Sequence, residues 1–271
     1  MSEPDTESRR VFGFPQFWPV VEREYARFFE VGPKTLTAMH SITDRAYSQL
    51  EPYQRAILNL SMVAGITFIE IVTLTVNGLG HGAMRNLRTL LEISINTEYL
   101  RLCPAEFEDY KQWHWVERFK EQEYLREHAN DIFKQIDPEV VREVEVNMAR
   151  VRPRFERAKF DGNKELRTGW CSRNLADRSI VTGHKDAYRL INPISSSFVH
   201  ETMYGMIRYF DAEKDVNRIE VPPSLDESKR ALSGGHHCMV RVVKTLSDTF
   251  SMASKPAAEE LEKDWHYTWH D

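Results

Sequence analysis

The chain has 271 residues, of which 41% are hydrophobic and 28% are charged, which is ordinary for a soluble globular protein with a substantial core. Its formal net charge of -5 gives no overall positive field of the kind that attracts nucleic acid or an anionic membrane. The three cysteines are far apart in the sequence and form no C-x-x-C pair, which argues against a disulfide framework or a zinc site. We therefore expect a cytoplasmic protein with free thiols.

Glycine and proline divide the N-terminal region into predicted helices. Residues 1–11 are polar, without the apolar core of a signal peptide, and we expect them to form a disordered tail. An apolar, aromatic-rich row from Phe17 to Phe29 predicts a first helix that ends near Gly32. Pro33 stands where a second helix would begin, and that helix is predicted to reach Leu50.

Residues 56–76 form the most apolar stretch of the chain. Polar residues interrupt it, so we expect a buried helix at the centre of the fold rather than a membrane span. Glu70 lies within this stretch, and a buried carboxylate needs a partner. It is expected either to pair with an arginine of the next helix or to face solvent at the helix edge.

The stretch from Gly80 to Leu102 has the most distinctive pattern. Besides an apolar row, it places His81, Arg85, Arg88 and Glu92 at i, i+4, i+7 and i+11, so that these four side chains share one side of a helix. One interpretation is a solvated face with an Arg88–Glu92 ion pair. The other is that this face lines a polar cleft.

The middle of the chain is predicted to hold two charged helices and a loop. The first helix runs from Pro104 to about Phe133, and Asp137 caps the second one. Residues 159–171 are the predicted loop. Residues 150–173 contain eight Lys or Arg against three Asp or Glu, an excess of five positive charges. This patch is either a solvated surface or a site for a phosphate-bearing partner.

A second polar pattern follows the loop. Asn192 and Pro193 are predicted to begin a helix that reaches about Tyr209. On this helix Ser196 and His200 are one turn apart. A hydroxyl beside an imidazole can serve as a nucleophile or orient the ring, and it can equally belong to a histidine that only packs in a helix.

The last long helix is predicted over residues 226–253. Gly234 and Gly235 lie within it and would let a neighbouring helix approach closely. A metal site built from His236, His237 and His200 is conceivable, but no E-x-x-H or H-E-x-x-H motif occurs, so we expect no metal and no cofactor. The aromatic segment 256–271 is expected to be a tail that docks on the body or on a second subunit.

Three spaced motifs together resemble a known family. In order they are R-N-L-R-x-L-L-E-x-x-x-N-x-x-Y-L, G-W-C-x-x-N-L-A and A-Y-x-x-x-N-x-x-S-S-S-F-V-H. This order looks like that of the bacterial domain-of-unknown-function 5677 family, over about residues 58–210 and the last long helix. The residues that carry the resemblance are Arg88 and Glu92, Trp170, Tyr188, and Ser196 or Ser197 with His200. The resemblance implies an all-helical fold and carries no established reaction.

The polar residues of this family are similar to those of ribonuclease-like, nucleotide-binding helical domains in prokaryotic defence and toxin systems. Those ribonucleases use an R-x(4–6)-H motif within one helix. The chain has two such matches, Arg178…His184 and Arg230…His236, about the number that chance would give. The first match spans a glycine and is not expected to form one helix.

The sequence thus predicts a single all-α domain of eight or nine helices over residues 12–255, in which the 81–92 and 196–200 faces converge. One hypothesis is an effector of a defence or toxin system that acts on RNA or a nucleotide without metal. In it His200 is the general acid or base, Arg85 and Arg88 hold a phosphate, Glu92 orients an arginine, and Tyr188 and Ser196 border the site. The other is a non-catalytic helical sensor or protein-interaction module whose polar cluster is structural. The sequence leaves undecided whether the chain forms a homodimer, and we expect no membrane partner.

Overall fold

The computed structural model describes residues 14–44, 49–158, 163–200, 224–250 and 255–270. These ranges are all-α, as predicted, apart from one pair of short strands. The helices are α1 (Trp18–Glu24), α2 (Ala26–Thr43), α3 (Pro52–Val76), α4 (Gly80–Leu102), α5 (Phe107–His128), α6 (Asn130–Phe133), α7 (Pro138–Phe155), α8 (Leu175–Val181), α9 (Lys185–Val199), α10 (Leu225–Thr249) and α11 (Lys255–Trp269). The strands β1 (Glu156–Ala158) and β2 (Lys164–Leu166) pair antiparallel.

The described ranges contain eleven α-helices, more than the eight or nine predicted. The additional ones are short, since α1, α6 and α8 have 7, 4 and 7 residues. One or two turns are too few for a helical period to stand out in a sequence.

The chain forms two compact units. The first contains the described residues up to Leu102 and those from Arg178 onwards, and the second is Cys103–Asp177. The predicted N-terminal tail, residues 1–11, lies outside the described residues.

Helices α4 and α10 form the core of the first unit, and most residues of each are buried. A Cβ added at Gly234 of α10 would lie 2.9 Å from Leu87 Cδ2 of α4. One added at Gly235 would lie 3.3 Å from Phe68 Cδ2 of α3. The two glycines therefore allow the close approach of neighbouring helices that the sequence predicted.

Helix α3 is not the central helix, contrary to the prediction. Its inner side buries residues such as Phe68 and Ile71, but four apolar side chains on its outer side are between 39% and 57% exposed. We call these four residues the α3 apolar face: Met62, Val63, Ile66 and Ile69. Within the described ranges, α3 is the one helix whose length and composition would suffice to cross a membrane. Apolar residues occur on both sides of the helix, so composition did not show which side the other helices cover.

Glu70 also lies on the outer side of α3. It is exposed, and its Oε2 accepts a hydrogen bond of 3.2 Å from Asn86 Nδ2 of α4. The alternative in which Glu70 faces solvent at the helix edge is therefore the correct one, and its partner is an amide rather than Arg85 or Arg88.

Two prolines that were predicted to begin helices lie inside helices instead. Helix α2 continues through Pro33, and α9 begins at Lys185 and continues through Pro193. A proline removes one backbone hydrogen bond from a helix, and tertiary packing can offset that loss. The first break falls instead at Tyr25, whose hydroxyl donates to the Leu225 carbonyl over 2.8 Å. The predicted continuation of α9 to Tyr209 lies outside the described residues.

The second unit consists of α5, α6, α7 and the two strands. The single helix predicted from Pro104 is interrupted at Ala129, between α5 and α6. Asp137 caps α7 as predicted, since its Oδ1 accepts from the Glu139 N–H over 2.8 Å. Tyr124 of α5 is 63% exposed.

The basic patch of this unit is largely paired. Arg154 bonds Asp109, and Arg157 lies 2.8 Å from Glu165. Glu156 lies 3.6 Å from Arg152 and 3.6 Å from Lys164. These three carboxylates pair with four of the seven Lys and Arg side chains of the patch that the structure describes, which favours a solvated surface over a phosphate site.

The C-terminal segment, predicted to be a tail, forms α11 and packs on the first unit. Trp265 Nε1 donates to the Ser233 carbonyl of α10 over 3.2 Å. The guanidinium of Arg27 on α2 lies 3.0 Å from the centre of the Tyr267 ring. Helix α11 is therefore part of the fold of this unit. This agrees with the alternative in which the segment docks on the body of the chain.

Candidate functional site

We call the side of α4 that carries His81, Arg85, Arg88 and Glu92 the α4 face. Its two arginines are directed at α9. Arg85 Nε donates to the Phe198 carbonyl over 2.9 Å. Arg88 Nη1 donates to Asn192 Oδ1 over 3.3 Å and also bonds the Ser196 hydroxyl. We call this set of contacts the α4–α9 latch, and it consists of Arg85, Arg88, Asn192, Ser196 and the Phe198 carbonyl. It joins residues more than a hundred positions apart in the sequence, and both arginines are half-buried.

His81 extends the latch by one turn at the start of α4. Its ring meets the Phe198 ring edge-on, with 5.0 Å between the ring centres. The helical spacing of 81, 85 and 88 thus places three consecutive side chains of one face against the same helix.

The remaining predicted site residues take no part in the latch. Glu92 and Tyr188 are half-buried, and neither makes a side-chain hydrogen bond to another residue in the part of the chain that the structure describes. The Ser197 hydroxyl donates to the Ile194 carbonyl of its own helix over 2.6 Å. Trp170 belongs to the second unit, where it packs edge-on against Tyr110 at 5.1 Å.

His200 lies just beyond the end of α9. Its backbone N–H donates to the Ser196 carbonyl over 3.0 Å and closes the last turn. Its side chain is exposed and makes no hydrogen bond to Arg88, Glu92 or any other described residue. Among the described residues, Arg88 and Glu92 form no ion pair either. The guanidinium of Arg88 instead donates to two neutral acceptors, Asn192 and Ser196. Neutral acceptors do not compensate its positive charge.

A buried polar network occupies the space between α4, α8 and α10, and the sequence did not reveal it. His184 Nδ1 lies 3.1 Å from the Thr182 carbonyl and 2.9 Å from the Thr182 hydroxyl, and its Nε2 lies 3.0 Å from the Ser94 hydroxyl. Nδ1–H can donate to Thr182 while Nε2 accepts from Ser94, so a neutral imidazole satisfies both sites. Burial, together with the nearby charge of Arg241, lowers the pKa of His184 to about 3.

Three charged groups, Arg178, Glu98 and Arg101, also form hydrogen bonds at this end of α4. Arg178 Nη1 donates to Asn96 Oδ1 over 2.5 Å. Glu98 accepts two hydrogen bonds of 2.8 Å from Arg101 and one of 2.9 Å from the Thr245 hydroxyl. These contacts satisfy buried polar groups, which is the usual condition for keeping them in a core.

Arg178 and His184 form one of the two R-x(4–6)-H matches, and they do not share a helix. Arg178 is in α8, His184 precedes α9, and Gly183 with a φ of 70° forms the turn between them. In the other match, Arg230 and His236 share α10, but His236 is fully buried, and burial lowers its pKa to about 4. Neither match therefore forms an exposed Arg–His pair.

The histidines do not suggest a metal centre. In residues 14–44, 49–158, 163–200, 224–250 and 255–270, no group of three or more His, Cys, Asp or Glu side chains could hold a metal ion. His236 Nδ1 instead lies 3.3 Å from Trp269 Nε1, which donates to it.

The fold and these contacts define an all-α protein in which polar contacts join α4 to neighbouring helices of the first unit. Residues 55–218 match a family of unknown function, DUF5677, and the chain belongs to this family. The resemblance drawn from the three motifs is thereby confirmed at the level of the family. Neither the curated proteins nor the solved structures gave a significant match to the chain.

Proposed function

We propose that the chain is a non-catalytic helical sensor or protein-interaction module, in which the arginines of the α4 face serve the structure. The observation that carries this proposal is the α4–α9 latch. Nη1 of Arg88 donates to Asn192 and Ser196, and Nε of Arg85 donates to a backbone carbonyl. Donors that already hold a neighbouring helix would have to leave it before they could bind a phosphate.

The position of His200 supports the same proposal. A general acid or base works best when a second group fixes its ring and tautomer. Among the described residues no hydrogen bond orients the His200 ring. Tyr188 and Glu92, the other groups expected near it, make no side-chain hydrogen bond to it.

One observation favours the second candidate, an effector that acts on RNA or a nucleotide. Arg88 carries a positive charge that no described carboxylate neutralises, and Ser196 lies beside it. A half-buried cation of this kind attracts an anion more strongly than an exposed one does, because solvent screens it less. An incoming phosphate could then replace the neutral acceptors of Arg88.

The two candidates differ in what Arg88→Met does. For a structural latch, the variant strands the acceptors Asn192 and Ser196 and lowers the melting temperature by several degrees, since lost hydrogen bonds to a charged group cost about 1.5–3 kcal/mol. Arg189→Met is the matched control, because Arg189 is exposed on α9 and has no partner among the described residues. The control should melt like the parent.

The activity test uses the purified chain with single-stranded RNA and with ATP and GTP. The binding-module proposal expects no cleavage or hydrolysis that depends on the protein. Turnover by the parent that is lost in both Arg88→Met and His200→Ala, but kept in Arg189→Met, would overturn it in favour of the effector. A retained melting temperature in Arg88→Met would remove the structural role of the latch.

A further inference from the structure

A cavity of about 340 Å³ lies in the first unit, between α4, α9, α10 and α11. Its walls are mainly apolar: Met84, Leu87, Leu190, Ile191, Ile194 and Trp265. The size is at the lower end of the range for sites that bind small molecules, which are typically apolar with a few polar groups. None of the residues that the sequence singled out as catalytic lines it.

Gly234 of α10 shapes the floor of this cavity. Gly234 faces Leu87 of α4 and Ile191 of α9, and an added Cβ would lie 2.9 Å from Leu87 Cδ2 and 3.4 Å from Ile191 Cδ1. Without a side chain at this position, the floor is formed by the aliphatic groups of the neighbouring helices. Trp265 of α11 supplies an aromatic wall, and its Nε1–H is already bonded to the Ser233 carbonyl at 3.2 Å. The indole ring is therefore fixed in place.

The polar residues that line the cavity are Asp186, Arg230, Ser233, His237 and His270. His237 lies 4.9 Å from Trp265, ring centre to ring centre, and its imidazole forms no hydrogen bond to another described residue. Burial lowers the pKa of His237 to about 4, so the ring is neutral near pH 7. Arg230 and Asp186 are exposed and line the cavity, and neither forms an ion pair within the described part of the chain.

We propose that this cavity binds a small molecule with an aromatic or branched aliphatic body and a single carboxylate. The body fills the apolar space against Trp265, the carboxylate pairs with Arg230, and His237 donates or accepts one hydrogen bond. A nucleotide does not fit this chemistry, because its phosphates need several cations, whereas the lining offers a single arginine and no lysine and adds the repelling charge of Asp186. The proposal rests on the proposed function, for which it names the class of molecule that a sensor would detect.

The test uses two aromatic probes of nearly equal shape, 2-naphthoate and 2-naphthalenemethanol, titrated into the full chain by calorimetry. We expect 2-naphthoate to bind at one site per chain and the uncharged alcohol to bind about 3- to 5-fold more weakly, because an exposed ion pair adds at most about 1 kcal/mol. Arg230→Gln should remove this difference. Asp186→Asn should strengthen the binding of 2-naphthoate about twofold.

Ala187→Trp tests the location of the site, because Ala187 lines the cavity and a tryptophan there would occupy it. We expect at least a tenfold loss of affinity for both probes. Ile66→Ser is the control, since it removes an apolar side chain from the α3 apolar face and should leave binding unchanged. If Ala187→Trp fails to fold, the replacements at the exposed Arg230 and Asp186 still decide the outcome.

Three outcomes would overturn the proposal. They are the absence of saturable binding by the parent, binding that Ile66→Ser abolishes, and binding that neither Arg230→Gln nor Ala187→Trp changes. These outcomes are separate from failure of the proposed function, which the RNA and nucleotide assays detect. If the chain binds neither probe and cleaves neither RNA nor nucleotide, the sensor role fails, but the proposed role as a protein-interaction module still holds.

Discussion

Acidification should destabilise this protein through its two most deeply buried histidines. His184 is 1% exposed and His236 is 0% exposed. Burial lowers the pKa of His184 to about 3, with Arg241 and His237 acting in the same direction. Burial likewise lowers the pKa of His236 to about 4, although Asp264 opposes the shift. In the folded protein both rings therefore stay neutral at pH 5, whereas an unfolded histidine has a pKa of about 6.5.

The size of the effect follows from this difference in proton binding. Below pH 6.5 the unfolded chain binds protons that the folded chain does not, so the free energy of unfolding falls as the pH falls towards the folded pKa values. One pH unit corresponds to about 1.4 kcal/mol per group, so the step from pH 6.5 to pH 5 costs about 2 kcal/mol for each histidine. The two together should cost about 4 kcal/mol, a large share of the 5–15 kcal/mol that is typical for a domain.

The assay is urea denaturation of the parent, His184→Gln and His236→Gln at pH 7.5 and pH 5.0, with the slope of each transition compared as a check on two-state behaviour. Each variant should lose about 2 kcal/mol less between the two pH values than the parent does. His128→Gln is the control, because the side chain of His128 is 58% exposed, and it should lose as much as the parent. Equal stability of the parent at both pH values, or an unchanged loss in both variants, would refute the reasoning.

Three substitutions test other parts of the structure. Asp137→Ala should cost about 1 kcal/mol in thermal melts, because the N-cap of α7 is lost, whereas Asp137→Ser should retain most of the stability. Gly183→Ala should cost about 1 kcal/mol or more, because alanine is strained at a φ of 70°, and a variant as stable as the parent would show that the turn relaxes. His200→Ala should melt within a few degrees of the parent, because its side chain is exposed. If the same variant also keeps the full cellular phenotype of the parent, for example in a phage-challenge assay, the effector hypothesis loses its general acid or base.

Helical spacing predicted that His81, Arg85 and Arg88 share one side of a helix. His81, Arg85 and Arg88 lie within one α-helix, where the direction of each side chain follows from its position, and all three contact α9. Spacing did not predict where α9 ends. His200 lies one residue past Val199 and still donates its backbone N–H to Ser196, but its side chain is exposed and bonds no other described residue.

The buried polar network could not be predicted from a single sequence. Ser94 and His184 are 90 residues apart, and each is an ordinary residue type with no motif around it. Whether a polar residue of a helix is buried depends on which neighbour covers that side, and composition carries no such information. The exposure of the α3 apolar face has the same cause, since α3 is apolar on the covered side and on the uncovered side alike.

Helix α9 depends on polar contacts at both of its ends. At its N-terminal end His184 is held by Ser94 and Thr182, and its C-terminal half is held by Arg85 and Arg88. Between these two ends its apolar residues line the cavity, where Leu190 is 69% exposed and Ile191 and Ile194 are only half-buried. Each hydrogen bond contributes only about 0.5–1.5 kcal/mol net, or about 1.5–3 kcal/mol where a charged group takes part. The position of α9 is thus fixed by a few modest terms, and it is the element of the first unit on which a ligand in the cavity would act most directly.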